Sequence, residues 1–301
     1  MYYPYHLVMD ASLPYLRHFF EVARQGGFTR AAEALRLQQP GMSRSVRLLE
    51  AQLGVTLIDR KGRHFALTAA GDRVFAACKL IFAEVDTLAR IADEERGVLS
   101  GPLRIGASNV LASRVVPDAL AGLVATHPRL WPIVFSAPAA MGLVRIAAGE
   151  LELGLYLYVP ELASGLVASE LVEIPFRLVV RADRVRDEAT LGSFIGSREV
   201  EDPRASKFPT LDRLRKRYPH AQIRLSSNDA EAHLRMVEAG LGVSILPELL
   251  VRDGLRRGAL ADVFARERFA FPVLLVTRRG YHPSAGATAL LDQVTRQLKR
   301  R

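Results

Sequence analysis

Histidine, cysteine and carboxylate side chains carry most protein chemistry, and their spacing in this chain fits none of its common forms. The seven histidines, His6, His18, His64, His127, His220, His233 and His282, fall in no H-E-x-x-H or comparable metal-ligating spacing. No G-x-S-x-G elbow, phosphate loop or dinucleotide fingerprint is present to organise a nucleophile or a nucleotide. The one cysteine, Cys78, stands at an apolar helical position, whereas a reactive thiol needs exposure and electropositive surroundings. It reads as a buried structural thiol. Asp93-Glu94-Glu95 reads as a solvated helix end. The expectation is a protein that is not an enzyme and holds neither metal nor cofactor.

The charge balance points elsewhere. Lys and Arg number 41 against 32 Asp and Glu, a net +9 with a pI near 10.0, which suits a polyanionic partner. Its distribution tempers that inference. Residues 1–68 hold nine basic and five acidic residues (net +4), and 69–96 hold four and six (net −2). The remaining +7 lies beyond residue 96, much of it in Arg204–Arg217 and in Arg296, Lys299, Arg300 and Arg301. The global excess is poor evidence for DNA binding; an ordered motif has to carry it.

Composition narrows the class. Hydrophobic residues at 49% and charged residues at 24% are ordinary for globular protein, and 301 residues suffice for two or three domains. A single cysteine excludes an intramolecular disulfide framework. The longest uncharged stretch, Leu130 to Val144, is broken by Pro132 and Pro138 and is too short to span a membrane. Met1-Tyr-Tyr-Pro-Tyr-His has neither the basic region nor the apolar core of a signal peptide, so a cytoplasmic location is expected.

The elements that would position any site follow from periodicity. Leu13, Leu16, Phe19, Phe20 and Ala23 define a helix stopped by Gly26-Gly27, and Thr29 is placed to cap a second carrying Ala31, Ala32, Ala34 and Leu35. A third sets Met42, Val46, Leu49 and Leu53 on one face and ends at Gly54. Val55–Asp59 and Phe65–Leu67 flank the basic turn Arg60-Lys61-Gly62-Arg63-His64. Three short helices and a basic hairpin outline a winged helix-turn-helix over 1–68. Residues 69–96 predict a long helix whose seam, Val74, Cys78, Ile81, Val85, Leu88 and Ala92, repeats every 3.5 residues and calls for a partner helix. After the hinge-like Gly97–Pro102, strands and helices alternate over 97–301, predicting a parallel, doubly wound sheet in two lobes. Lobe I takes about 101–164 and 269–301, lobe II about 165–268. The fold class is α+β multi-domain, with a ligand cleft expected between the lobes at strand C-termini.

Several runs in order make the N-terminal region specific. They are Leu16-x-x-Phe19, Gly27-Phe28-Thr29-x-Ala31-Ala32-x-x-Leu35, Gln39-Pro40-x-x-Ser43, Leu49-Glu50-x-x-Leu53-Gly54, Arg60 and Leu67-Thr68-x-x-Gly71. Together they resemble the DNA-binding region of LysR-type transcriptional regulators. Ala239-Gly240-Leu241-Gly242-Val243-Ser244-Ile245-Leu246-Pro247 resembles that family's C-terminal segment, and the alternation from 101 onward fits its periplasmic-binding-protein-like effector domain. The resemblance implies a sequence-specific, effector-modulated regulator bound to double-stranded operator DNA. It also implies a homodimer through the linker helices, a homotetramer, and RNA polymerase as a further partner.

Carried onto this chain, the DNA-binding residues are Thr29, Gln39, Pro40, Ser43, Arg44, Arg47, Arg60, Lys61 and Arg63. A recognition helix enters the major groove at its N-terminal end. There Gln39 suits an adenine edge, Arg44 a guanine, Pro40 a thymine methyl and Ser43 a base or a phosphate. Arg47 and the wing residues suit phosphates. For the effector the matching positions are Ser108, Asn109, Ser136, Ala137, Tyr156, Gly196, Ser197 and Ser227. Hydroxyls and amides at helix N-termini suit a small carboxylate or other anion. Tyr156 and Tyr158 suit stacking on an aromatic effector, although strand tyrosines are more often ordinary packing.

Departures from the pattern are informative. Gln38 is a poorer N-cap than the family's usual Ser or Thr, and Gly41 inside the helix costs about 0.5–1 kcal/mol against alanine. Residues 1–8 lie ahead of the family's usual start, which Met9-Asp10 resembles, and read as a disordered extension or a mis-called start. Rival readings are an enzyme, a free ligand-binding module and an architectural DNA-binding protein. The missing catalytic motifs, the helix-turn-helix and the two-lobed domain respectively argue against them.

Overall fold

The computed structural model describes residues 13–60, 65–159, 161–196 and 210–300. The extension 1–8, Lys61 and Arg63 of the wing, and Ser197 lie outside them. The chain divides into two compact units, one of residues up to Ala89 with Ala148–Glu150, the other of Arg90–Ala147 and Leu151–Arg301.

The first unit is built from α1 (Leu13–Gln25), α2 (Phe28–Leu35) and α3 (Gln39–Leu53), a short antiparallel pair β1 (Ile58–Asp59) and β2 (Ala66–Leu67), and the long α4 (Ala69–Glu94). Phe19, Val22, Ala31, Met42, Val46, Leu49 and Leu57 are buried together, so the faces read from periodicity meet in one core. Gly27 caps α2, with no side-chain bond, which places Thr29 within the helix rather than at its cap. The turn to α3 puts Arg36 in the left-handed region at φ 54°. Gln38 caps α3 without a side-chain bond, as its chemistry predicts.

Two motif residues gain a physical reason here. Thr68 Oγ1 donates to the Thr56 carbonyl at 2.6 Å and accepts the Gly71 amide at 2.9 Å, capping α4 onto the strand before it. Gly71 lies so close to Leu57 that a Cβ would stand 2.0 Å from its carbonyl oxygen.

The seam of α4 is divided, which corrects the expectation of one continuous dimer face. Val74 and Cys78 pack into the core of the first unit, where Cys78 is fully buried and Phe20 stacks on Phe75 and Phe82 at 5.5 and 5.1 Å. A short apolar domain of three helices needs that cover, so the first half of the seam is consumed within the chain. Ile81, Val85, Leu88 and Ala92 remain exposed.

The second unit carries a seven-stranded mixed sheet. β3 (Gly101–Ala107) pairs in parallel with β4 (Leu130–Ser136) and β5 (Leu153–Tyr156). The long β6 (Leu166–Arg181) and β11 (Phe269–Arg278) run antiparallel to each other, and β11 also pairs antiparallel with β5. The far half of β6 takes β9 (Ser244–Pro247) and β10 (Leu260–Asp262), and β7 (Ser193–Gly196) and β8 (Gln222–Ser226) form a small parallel pair. The wholly parallel sheet expected from alternation is therefore corrected: the strands that cross between lobes must return, and returning strands pair antiparallel.

The helices between them are α5 (Asn109–Arg114), α6 (Val116–Thr126), α7 (Ala139–Ala147), α8 (Glu188–Leu191), α9 (Thr210–Arg217), α10 (Ala230–Glu238), α11 (Glu248–Arg256) and α12 (Ala285–Arg300). Among the described residues no helix is long and apolar enough to cross a membrane. The acidic end of α4 is also more than solvated. Asp93 accepts the Ser100 hydroxyl, and Glu94 Oε1 accepts the Ala285 amide at 2.9 Å at the start of α12.

Candidate functional site

On α3 the chemistry and the packing face opposite ways. Met42, Val46 and Leu49 are buried, while Gln39, Pro40, Arg44 and Arg47 are exposed and Ser43 is half-buried beside them. Arg44 and Arg47 form no ion pair among the described residues. Arg60 differs. Its Nη2 donates to Glu50 Oε2 at 2.7 Å, and Glu50 Oε1 accepts the Leu57 and Ile58 amides at 2.9 and 3.2 Å. Glu50, carried in the sequence only as part of a motif, thus clamps the start of the wing to the end of α3. Thr29 is exposed on α2.

Cys78 is inert by environment. Burial pushes its thiol up to about 11 from an ordinary 9.0. The folded chain holds that proton more tightly than the unfolded chain. The thiol's contribution is therefore whole below pH 9 and lost as pH rises towards 11. Between those values wild type should lose more stability than Cys78→Ala, read from thermal melts at each pH; parallel curves would contradict this.

The second unit holds a cavity of about 240 Å³ between its lobes. Ser108 and Asn109 reach it from the β3–α5 junction, Leu157 and Tyr158 from the end of β5, and Gly196 and Asn228 from lobe II. Apolar walls come from Phe176, Phe194, Leu211, Ile245 and Leu246. Across the cleft Asn109 Nδ2 donates to Asp229 Oδ2 at 3.1 Å, and Arg114 Nη2 to Glu231 Oε1 at 2.7 Å, joining α5 to the start of α10.

The other positions taken as effector contacts fall differently. Ser136 donates to Asn109 Oδ1 at 2.9 Å and orients that amide without lining the cavity. Ala137 is buried, with its amide on the Ala107 carbonyl, and likewise lies off the cavity. Ser227 contributes its carbonyl to His233 Nε2 at 2.8 Å rather than a side chain to the lining. Tyr156 borders the cavity, but its ring is fully buried among Gly106, Gly142, Gly154 and Ile146. Burial pushes its hydroxyl up to about 12. Of its two readings, ordinary packing is the one this burial supports, because three glycines clear a slot that its ring fills.

His233 is a lining residue that its lone position in the sequence does not flag. It is buried, with Nδ1 3.2 Å from Ser244 Oγ, which itself donates to the Ile195 carbonyl at 2.9 Å. Its placement depends on α10 and β9 meeting, which local pattern does not encode. Among the described residues no cluster of His, Cys, Asp and Glu is arranged to hold a metal ion.

Residues 13–72 match the model of the bacterial regulatory helix-turn-helix protein, lysR family, and residues 96–299 match the LysR substrate binding domain. The chain belongs to the LysR family. It is a DNA-binding transcriptional regulator with an effector-binding domain, and not an enzyme. Among curated LysR-type relatives, the uncharacterized HTH-type transcriptional regulator YfeR of Shigella flexneri is 28% identical over 300 residues, covering 96% of this chain and 95% of the relative. The DNA-binding transcriptional dual regulator OxyR of Escherichia coli strain K12 is 25% identical over 250 residues, covering 80% and 82%. Among solved structures, a full-length OxyR variant from Pseudomonas aeruginosa superposes with a TM-score of 0.67 at 21% identity, covering 95% and 98%. Full-length LysG from Corynebacterium glutamicum with bound effector Arg gives 0.63 at 19%, also covering 95% and 98%. Both superpositions, at under 25% identity, bear on the fold alone.

Proposed function

We propose that this regulator reads its operator with the exposed face of α3 and is modulated by a small molecule in the interlobe cavity. Residues 13–68 bind DNA, 69–96 link and dimerise, and 97–301 bind the effector. The observation that carries the reading is the two-sidedness of α3, with a packed apolar face and a hydrogen-bonding face left free. Gln39, Pro40, Ser43 and Arg44 take base edges, and Arg47 a phosphate. Thr29 approaches the backbone. Arg60 acts first as the Glu50 partner that holds the wing. Homodimers form through Ile81, Val85, Leu88 and Ala92 and pair into tetramers. Recognition helices then sit on a dyad-like site with half-sites one turn or a multiple apart.

Arg44→Ala should lose about 1–3 kcal/mol of discrimination at one base position, measured by gel shift on single-base operator variants. A uniform loss across sequences would reassign Arg44 to phosphate. Failure of the wild-type chain to prefer any upstream sequence over scrambled DNA at two salt concentrations would overturn the reading itself. A peroxide response through an intramolecular disulfide, prompted by relatives named hydrogen peroxide-inducible genes activators, needs two thiols; this chain has Cys78 alone.

A further inference from the structure

Three helices of the first unit end in the same way. The residue just past each helix turns into the left-handed region, and the next residue donates its backbone N–H to a carbonyl five positions back. At the end of α1 these are Gly26, at φ 66°, and Gly27, donating to Val22 at 3.1 Å. At the end of α3 they are Gly54, at φ 66°, and Val55, donating to Glu50 at 3.2 Å. Between α2 and α3 they are Arg36, at φ 54°, and Leu37, donating to Ala32 at 2.9 Å. The bend favours glycine, because a Cβ there crowds the following carbonyl oxygen. Among the described residues Arg36 is the one non-glycine residue with positive φ.

Nothing that the arginine does within the fold accounts for its place. Its side chain is exposed and makes no ion pair or hydrogen bond among the described residues. Arg30, by contrast, donates from Nη2 to the Gly26 carbonyl at 2.9 Å. The closure of α2 comes from backbone groups, the Arg36 N–H on Glu33 and the Leu37 N–H on Ala32, which glycine would supply equally. A cation at a helix C-terminus gains from the helix dipole, but on an exposed end salt screens that gain. Strain kept where an unstrained residue would serve points to a task outside the fold. Position says which task. Arg36 stands three residues ahead of Gln39, where α3 and its exposed hydrogen-bonding face begin. When the N-terminal end of α3 enters the major groove, this corner arrives at the groove edge, beside the sugar-phosphate backbone. A permanently charged, planar guanidinium there fits a phosphate.

We propose that Arg36 binds a backbone phosphate of the operator beside the N-terminal end of α3, and that this contact keeps an arginine at a turn built for glycine. The inference adds a residue to the DNA-binding set and rests on α3 reading the operator.

Arg36→Gly in the full chain tests it, since that change removes the cation and relieves the turn together. The melting temperature should hold level or rise by up to ~4 °C. Affinity for DNA should fall by about 5–10-fold at ~0.1 M salt, the effect of one released counterion. Gel shifts on an upstream duplex and on its scrambled counterpart should show the same fold loss. The slope of the log binding constant against log salt should shrink by ~0.9 per bound chain. Arg36→Lys keeps a point charge and should retain most of the affinity and slope. A lowered melting temperature in Arg36→Gly would give the arginine a structural role and overturn the proposal. So would an unchanged affinity or salt slope, a loss confined to one base position, or Arg36→Lys behaving as Arg36→Gly. Preference of the wild-type chain for the upstream duplex judges the α3 reading separately. If that preference is absent while Arg36→Gly still loses affinity and slope, the phosphate contact stands and the operator reading falls. If the preference is present and Arg36→Gly binds like wild type, the reverse holds.

Discussion

Glu152→Ala is expected to destabilise the effector-binding unit by about 3–5 kcal/mol, the usual consequence of orphaning one member of a buried ion pair. Glu152 Oε2 accepts Arg90 Nη1 at 2.8 Å, and the two side chains are 7% and 13% exposed. Glu152 Oε1 accepts the Ser284 hydroxyl at 2.5 Å and its backbone N–H at 3.1 Å, just before α12. One carboxylate thus ties the end of α4 to the start of α12 from the turn that leads into β5. Burial, with the Glu152 carboxylate adding to it, pushes the neighbouring Tyr281 hydroxyl well above its ordinary range. Urea denaturation measures the loss. The double variant Arg90→Met/Glu152→Leu should recover part of it, because the single variant's loss comes mostly from an uncompensated guanidinium. A loss under about 1 kcal/mol for Glu152→Ala would mean that Arg90 finds water on relaxation. Because β5 continues into Leu157 and Tyr158 at the cavity, the single variant should also alter the response of DNA binding to ligand.

Gly71→Ala should have a comparable effect on the DNA-binding unit. Its new methyl would meet the Leu57 carbonyl oxygen at 2.0 Å, and backbone cannot turn aside as a side chain can. Relief requires α4 or the β1 strand to move. Leu57 is fully buried in the core that supports α3. Overpacking of this kind costs about 1–3 kcal/mol and more when backbone must shift. The upper end is expected, together with lost operator binding at about 37 °C. Gly122→Ala provides the opposite sign. That glycine lies within α6 with nothing inside 4 Å of the added methyl, so a gain of about 0.5–1 kcal/mol is expected. Thermal melts and gel shifts of both variants check the pair. Equal stability of Gly71→Ala and wild type would show that the strand gives way freely.

The elements themselves were largely readable from local pattern. A 3.6-residue period placed α1, α2 and α3 within a few residues, and Gly26-Gly27 and Gly54 marked their ends. β7, β10 and the first half of β6 were not readable. Their residues alternate weakly, and β6 carries Glu170, Glu173 and Pro175 in a stretch made into strand by pairing with β11. The helix to Thr126 proved to be two, broken at Val115, which has φ −125° just before Val116-Pro117.

Identity and one working face followed from chain order alone: which residues α3 buries, which it presents, and which family the ordered motif belongs to. Those are consequences of short-range periodicity and of residue chemistry, both of which act within a few turns. The character of the effector cavity did not follow. Serines and a tyrosine at expected places suggested an anion site, but folding assigned Tyr156 to a glycine-lined slot, engaged Asn109 and His233, and left Ser108 Oγ unpaired. It also divided the α4 seam, burying Cys78 and exposing Leu88. Such outcomes depend on which side chains meet across distant segments, and the hydrogen bonds and buried area that decide them exist only once the chain has closed on itself.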